Sequence, residues 1–274
     1  MARLIEILCV GTELLIGKTL NTNAHWLTKR ITSLGGEVTR VTVVKDDVME
    51  IAHSVQEIMQ RNPRLLLTVG GLGPTFDDKT LEGIAEASGY KLEVDNNALK
   101  EVETKYRRYV EEGRMEKAEL TPPRIKMAKL PKGSEPLRNP VGTAPGVMLK
   151  YSDTTIVALP GVPSEMMAIF DGSVAPIIRQ FADDMTFFES SMLVTGVVES
   201  EIAPIIEKVM RDNPHVYIKS HPHCEERVSR LEFHLSTTAV STKVARKRLS
   251  TALAQISELT VKKGGKVKPI ATES

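Results

Sequence analysis

The chain has 274 residues, with 36 Lys or Arg against 35 Asp or Glu and a net charge of +1, so its overall charge carries no polyanion-binding signature. That length allows about two domains of ordinary size, each able to build its own core. Two distant cysteines, Cys9 and Cys224, imply neither a disulfide framework nor a paired metal motif; no apolar run approaches the ~20 residues of a membrane span, and Glu6 in the first apolar run is unlike a signal peptide. A cytoplasmic protein without a membrane partner is expected.

In chain order, residues 4–10 read as a strand, followed by the turn 11–17 with Gly11, Glu13 and Gly17. Asn21, Thr22 and Asn23 offer N-caps for a helix whose apolar positions are Ala24, Leu27, Ile31 and Leu34, stopped by Gly35-Gly36. Residues 38–44 form a β-branched second strand. Asp47 with Glu50 reads as the cap of a helix over 48–61, which leaves Asp46 for other duty.

The run 65–69, Leu-Leu-Leu-Thr-Val, is too short for a helix and reads as a buried strand. Gly70, Gly71, Gly73, Pro74, Thr75, Asp77 and Asp78 follow it, then a helix over 80–88 for which Asp78 or Thr80 is a candidate cap. A glycine-rich strand-to-helix junction is an anion pocket, because free N–H groups and the helix dipole both favour negative charge. The amides of residues 71–75 are the expected donors. Two carboxylates beside a phosphate site conflict in charge unless a divalent cation bridges them, which makes Asp77 and Asp78 candidate metal ligands. A cap or an ordinary turn is the bland alternative.

Another helix spans the stripe Ala98, Val102, Tyr106 and Val110, and residues 124–130 alternate as a half-buried strand would. A turn-rich loop at 136–146 reads either as a lid or as a plain surface loop. A hairpin over 147–159 and the turn at Gly161 lead into a helix running to about residue 180. The alternation predicts an α/β fold, a mostly parallel wound sheet with helices on both faces, whose ligands bind at the carboxyl ends of the strands. Beyond about residue 185 the order changes: strand 192–198, helix 201–211, strands 216–220 and 228–236, and a basic helix 243–259, a small α+β module. The expected domains are 1–171 and 172–274.

The strings Gly11-Thr12-Glu13-Leu14-Leu15-Ile16-Gly17, Asn21-Thr22-Asn23, Val44-Lys45-Asp46-Asp47, Gly70-Gly71-Leu72-Gly73-Pro74-Thr75-Phe76-Asp77-Asp78-Lys79-Thr80 and Leu159-Pro160-Gly161-Val162-Pro163 resemble the N-terminal domain of CinA-type proteins, within the wider molybdopterin-binding family. The second module resembles the KH-like unit that follows it there. No counterpart of the family's C-terminal deamidase domain is seen, so deamidation is not expected.

The resemblance implies that Asp46 and Asp78 support adenylyl or pyrophosphate chemistry, and that the chain is a metal-dependent pyrophosphohydrolase acting on ADP-ribose or a related nucleoside diphosphate sugar. Asp46, Asp77 and Asp78 would hold Mg, Co or Mn, and Asp46 and Asp78 would be catalytic. Gly11, Glu13, Asn21, Asn23, Gly70, Gly71, Gly73, Pro74, Thr75 and Gly161 would surround a nucleotide or pterin phosphate. Glu13, Asn21 and Asn23 are equally ordinary helix-start residues. The alternatives are molybdopterin binding or adenylyl transfer in molybdenum-cofactor biosynthesis, although Leu72 stands where that branch usually has threonine, and a nucleotide-sensing binding protein without catalysis.

His221, His223 and Cys224 form a short metal-like string without a distant partner pair, and a loop is the plainer reading. The basic residues at 243–268 read as solvated or as a subunit contact, since no Gly-x-x-Gly loop stands where RNA-binding KH modules place one. A homo-oligomer is expected and a nucleic-acid partner is not.

Overall fold

A computed structural model describes residues 4–182, 185–223 and 230–270. The chain forms two compact units, one made of Met1–Thr32 and Gly36–Phe181, the other of Ser33–Gly35 and Ala182–Ser274.

In the first unit, β1 (Leu4–Val10) is followed by a single helical turn α1 (Thr12–Leu15), α2 (Thr22–Ser33), β2 (Glu37–Val44), α3 (Val48–Gln60), β3 (Leu65–Val69) and α4 (Thr80–Ser88). Then come β4 (Leu92–Val94), α5 (Asn96–Glu111), α6 (Pro122–Lys126), β5 (Lys129–Pro131), β6 (Glu135–Leu137), β7 (Gly146–Tyr151) and β8 (Thr154–Leu159). The unit closes with α7 (Pro163–Ile169), a π-helical turn (Phe170–Val174) and α8 (Ala175–Phe181).

The main sheet runs β2-β1-β3-β8-β7-β6. Pairing is parallel from β2 to β8, whereas β7 and β6 add antiparallel, so the mostly parallel sheet of the sequence reading is a mixed one with an antiparallel edge. The tight hairpin explains the change: Ser152 takes φ +54° and joins β7 to β8 without the long crossover that a parallel pair needs.

Leu8, Leu66 and Ile156 face one layer, packed with Ile51, Val55 and Ile84 from α3 and α4 and Val102 from α5. The opposite face meets α2 and α8: a Cβ added at Gly36 would lie 2.7 Å from Ile31, 3.0 Å from Ile5 and 3.2 Å from Ile178. Burial on both faces is why β1 and β3 are apolar at almost every position instead of alternating. The one acid in β1, Glu6, is 3% exposed and accepts a two-pronged bond from Arg61, Nε to Oε1 at 2.8 Å and Nη2 to Oε2 at 2.7 Å.

Two expectations are corrected. Residues 124–130 do not form one strand, because Pro122 and Pro123 start α6 and only Lys129–Pro131 is extended. Arg124, which fitted the alternation, lies 3.9 Å over the Tyr106 ring. The predicted boundary after residue 171 falls inside the π-helical turn, and Val174 and Ile178 are fully buried, so the first unit continues to Phe181.

The second unit has β9 (Thr186–Thr195), α9 (Glu199–Asp212), β10 (Tyr217–His223), β11 (Arg230–Ala239), α10 (Thr242–Lys262) and β12 (Lys266–Ile270). Its sheet, β10-β11-β9-β12, is antiparallel throughout. Met192, Val194, Ile218, Phe233 and Leu235 form its core with Ile202 and Val209 of α9 and Leu249 and Ile256 of α10. The first strand starts earlier than residue 192, and β12 is an element the sequence reading lacks. Lysine, proline and lysine in Lys266–Ile270 mask the alternation, which an edge strand tolerates. Residues 228 and 229 of the predicted strand 228–236 lie outside the described residues.

Candidate functional site

The order in which strands are added reverses at β1: β2 lies on one side of it and β3 on the other. Ligand crevices in open α/β sheets form at such a reversal, beyond the carboxyl ends of the strands. A cavity of about 310 Å³ opens there. It gathers Gly11 and Glu13 after β1, Asn21 and Asn23 at the start of α2, Asp46 after β2, Gly70, Gly71, Thr75, Asp77 and Asp78 after β3, and Gly161 after β8. Segments 150 residues apart in sequence thus supply one wall each, as the sequence reading required.

Gly73 and Pro74 do not join them. Gly73 lines a separate small recess with Leu72, Leu81 and Lys126, and Pro74 is exposed outside the cavity lining. Leu72 is 4% exposed and belongs to the core cluster, so its departure from threonine leaves the cavity lining untouched.

The glycines are set by close packing. Gly70 has φ +104°, and a Cβ there would sit 2.2 Å from the Val10 carbonyl oxygen; Gly71 has φ +65°, with Thr80 Oγ1 at 2.4 Å from any Cβ. Both conformations belong to glycine. Thr80 is fully buried, and its hydroxyl donates to Gly70 O at 2.7 Å while its amide donates to Gly71 O at 3.2 Å. It therefore splints the loop rather than capping α4, whose N-cap is Lys79 without a side-chain cap bond.

Asp78 is not the cap either. Its Oδ2 accepts the Thr75 amide at 2.8 Å, and the Thr75 hydroxyl stands between the Asp77 and Asp78 carboxylates. This corrects the donor inventory: the Thr75 amide is engaged by Asp78 and the Gly70 amide by Leu159 O at 3.0 Å. Lys126 fastens the same loop, donating to the carbonyls of Thr75 and Asp78, the latter at 2.6 Å. Sequence reasoning had no signal for Lys126, which lies 48 residues beyond Asp78.

Asp46 Oδ2 accepts both the amide of Thr12 at 2.7 Å and its hydroxyl at 2.9 Å, joining the ends of β1 and β2. Asp47 caps α3 through the amides of Met49 and Glu50, as expected. Asn21 Oδ1 accepts the Ala24 amide at 3.1 Å, so it caps α2; Asn23 Nδ2 donates to Gly161 O at 2.7 Å and ties α2 to the turn after β8. Burial pushes the Cys9 thiol up, with the Asn21 side chain pulling the other way. The Asp77 carboxyl sits below its ordinary value, first because of the Thr75 hydroxyl.

The 136–146 loop is tied down. Asn139 is 1% exposed; its amide nitrogen donates to Ala144 O and Glu165 Oε2, and its oxygen accepts the amides of Val141 and Gly142. That network anchors the loop, and none of its residues lines the cavity.

Glu13, Asp46, Asp77 and Asp78 line the cavity, and among the described residues no Lys or Arg does. Among the described residues, too, no group of three His, Cys, Asp or Glu is placed to hold a metal ion. Thr12 engages one oxygen of Asp46, and Thr75 one oxygen each of Asp77 and Asp78. The donor set fits a hard divalent cation only where a ligand phosphate completes its shell. In the second unit, His223 and His234 place Nε2 at 3.2 and 3.3 Å from the two oxygens of Glu232, His221 stacks edge-on against His234, and Cys224 lies outside the described residues. No helix among the described residues is long and apolar enough to cross a membrane.

Residues 6–180 match the family described as a probable molybdopterin binding domain. A protein of Sulfurisphaera tokodaii is 38% identical over 96% of this chain and 97% of its own length. One of Pyrobaculum aerophilum is 42% identical over 97% of each chain. Among solved structures, the protein CinA of unknown function from Thermoplasma acidophilum is similar at 40% identity and a TM-score of 0.58, covering 64% of this chain and 98% of that one.

Proposed function

The chain belongs to the molybdopterin-binding domain family, and from that premise we propose that the cavity beyond β1, β2 and β3 binds a phosphorylated pterin and serves molybdenum-cofactor biosynthesis. The observation that carries this reading is the lining itself: four carboxylates and, among the described residues, no Lys or Arg. Ionised carboxylates only accept hydrogen bonds. A pterin presents an amino group and a ring N–H side by side, an edge that one carboxylate accepts in two-pronged fashion. A bare diphosphate meets the same lining as like charge.

The volume, about 310 Å³, lies at the low end for small-molecule sites and suits one heterocycle with a short phosphate arm. Glu13 and Asp46 are the acceptors for the ring edge. The phosphate goes to the Gly71 amide and the first turn of α2, where Thr22 and Asn23 line the cavity. Leu72, packed away in the core, does not oppose a pterin.

The second reading is hydrolysis of ADP-ribose or a related nucleoside diphosphate sugar. Supporting it is the meeting of Asp46 and Asp78 at one cavity, each with one oxygen outside the loop bonds. Magnesium, cobalt or manganese on those oxygens would supply charge neutralisation for the phosphates. Asp46 would then orient the attacking water, and Asp78 would hold the loop against the leaving phosphate.

Calorimetric titration decides between them. Under the pterin reading, molybdopterin binds without added metal and ADP-ribose binds weakly or not at all. Release of AMP from ADP-ribose with magnesium or cobalt, lost in Asp78→Asn, would put the hydrolytic reading in its place.

A further inference from the structure

The second unit carries a cavity of opposite character to the acidic one, and the pterin reading leaves it unused. Its volume is about 570 Å³, within the range of small-molecule sites, and it lies at one end of the antiparallel sheet. Met185, Phe187, Met210, Val216 and Tyr217 give it apolar and aromatic walls. Among the described residues, Arg248 is the one Lys or Arg in the lining, and no Asp or Glu lines it.

Strand register builds the aromatic wall. Tyr217 pairs with Ser236 across β10 and β11, and Thr238 pairs with Phe187 across β11 and β9. Residues two apart on a strand share a face. Both rings and both hydroxyls therefore stand on the side of the sheet opposite the buried Ile218, Phe233 and Leu235. Glu189 pairs with Ser236 from β9 but stays outside the lining. Tyr217 is 57% exposed, a large ring held in water at the rim. The thioethers of Met185 and Met210 complete the wall, and such chains adapt to an apolar body and favour the edge of an aromatic ring.

The charge comes from α10. Arg248 Nη1 donates to Thr238 O at 2.7 Å, which fixes the guanidinium at the end of the aromatic wall. That bond leaves the edge formed by Nε and Nη2, the kind of pair that grips a carboxylate by two parallel bonds. A smaller neighbouring cavity of about 230 Å³ shares Arg248 and holds both Lys247 and Asp212. Asp212 is engaged by Lys208 at 2.9 Å and by Gln255 at 2.6 Å, not by Arg248. The guanidinium is thus the charge that the larger cavity presents to a ligand.

We propose that this cavity binds a small monocarboxylic acid with an aromatic or branched apolar body. The carboxylate takes the free edge of Arg248, with a hydroxyl of Ser236 or Thr238 donating to it, and the body packs on Phe187, Tyr217 and the two methionines. One guanidinium matches one negative charge. A phosphate ester, with nearly two charges, would leave part of its charge uncompensated against apolar walls. The four carboxylates of the first unit's cavity repel the same acid, so the two sites take different molecules, and this inference stands apart from the pterin reading.

The test is a chemical-shift titration of the full, nitrogen-15-labelled chain with 3-phenylpropionate and indole-3-acetate, each beside its neutral amide, and with phenyl phosphate. The acids are expected to bind with a Kd of about 1 mM or tighter, the level open to ligands of this size, and the amides about tenfold more weakly. Arg248→Met should weaken the acids about tenfold and leave the amides unchanged, and Arg248→Lys, which keeps the charge without the fork, should fall between. Tyr217→Ala should weaken acids and amides alike. Circular dichroism of Arg248→Lys and Tyr217→Ala should match the parent protein, and these two decide the matter if Arg248→Met does not fold. Acids that bind no better than their amides overturn the proposal, as does phenyl phosphate binding more tightly than the acids. Unchanged acid affinity in folded Arg248→Met, in Arg248→Lys or in Tyr217→Ala, or a parent protein that binds neither acid, overturns it as well.

Discussion

Asp46 and Thr12 are locked together across 34 residues: one carboxylate oxygen accepts both the amide and the hydroxyl of the threonine, at 2.7 and 2.9 Å. The bond fixes the turn after β1 against the end of β2, and Asp46 lines the crevice. Asparagine retains an oxygen in the same place but carries no charge. Asp46→Asn should therefore keep folding stability within about 0.5 kcal/mol while weakening ligand binding about tenfold. Asp46→Ala should lose both. Chemical denaturation and calorimetry on the two variants separate the roles, and equal ligand affinity in wild type and Asp46→Asn would remove the charge from the argument.

Thr80 tests the splint under the glycine loop. Thr80→Val preserves shape and burial but removes the donor to Gly70 O. Leaving that buried carbonyl without a partner should cost about 1–3 kcal/mol. A urea midpoint unchanged from wild type would show that the bond contributes nothing.

Gly70 cannot accept a side chain where it stands, since a Cβ would lie 2.2 Å from the Val10 carbonyl oxygen at φ +104°. Gly70→Ala should destabilise by at least about 2 kcal/mol and abolish ligand binding. The comparison is Gly89→Ala, also at positive φ but with open space around it, which should cost less.

Removing one partner of the Glu6–Arg61 pair leaves a charge that is 3% exposed without compensation. Arg61→Met should cost about 3 kcal/mol, and the double variant Glu6→Leu with Arg61→Met should recover most of it. Thermal unfolding of the three variants forms the cycle; a double variant no better than Arg61→Met would show that the strand needs the acid itself.

Asp47 sets an acid limb on stability. The Glu50 amide, chiefly, holds its carboxyl below the ordinary value of 3.8, with Met49, Lys45 and Lys79 adding to the effect. A carboxyl depressed on folding stabilises above its unfolded value and loses that contribution as pH falls through the folded one. Stability should thus decline from about pH 4 downward. Asp47→Asn keeps a capping oxygen and should show a shallower decline, read from urea midpoints across that range.

The parts of this protein set by short-range rules were legible from residue order alone. The apolar run at 65–69 reads as a strand because it is buried on both faces, and Asp47 reads as a cap because its partners lie two and three residues ahead. Gly89, at φ +71°, ends α4 where a left-handed residue is needed. The turns after four parallel strands had to meet, since parallel strands put all their carboxyl ends on one edge. What each carboxylate does there was decided by contacts between distant segments. Thr12 holds Asp46, Thr75 holds Asp78 in place of a helix cap, and Lys126 fastens the loop from 48 residues away. Gly73 and Pro74 leave the cavity although their neighbours enter it, because the loop turns Leu72 into the core. The same holds for Tyr217 and Phe187, 30 residues apart in sequence and brought to one face of the second sheet only by the register of β9, β10 and β11. Periodicity and capping act over a few residues, and a sequence displays them; hydrogen bonds across a folded surface depend on which backbone atoms arrive there, and that is fixed only when the chain closes on itself.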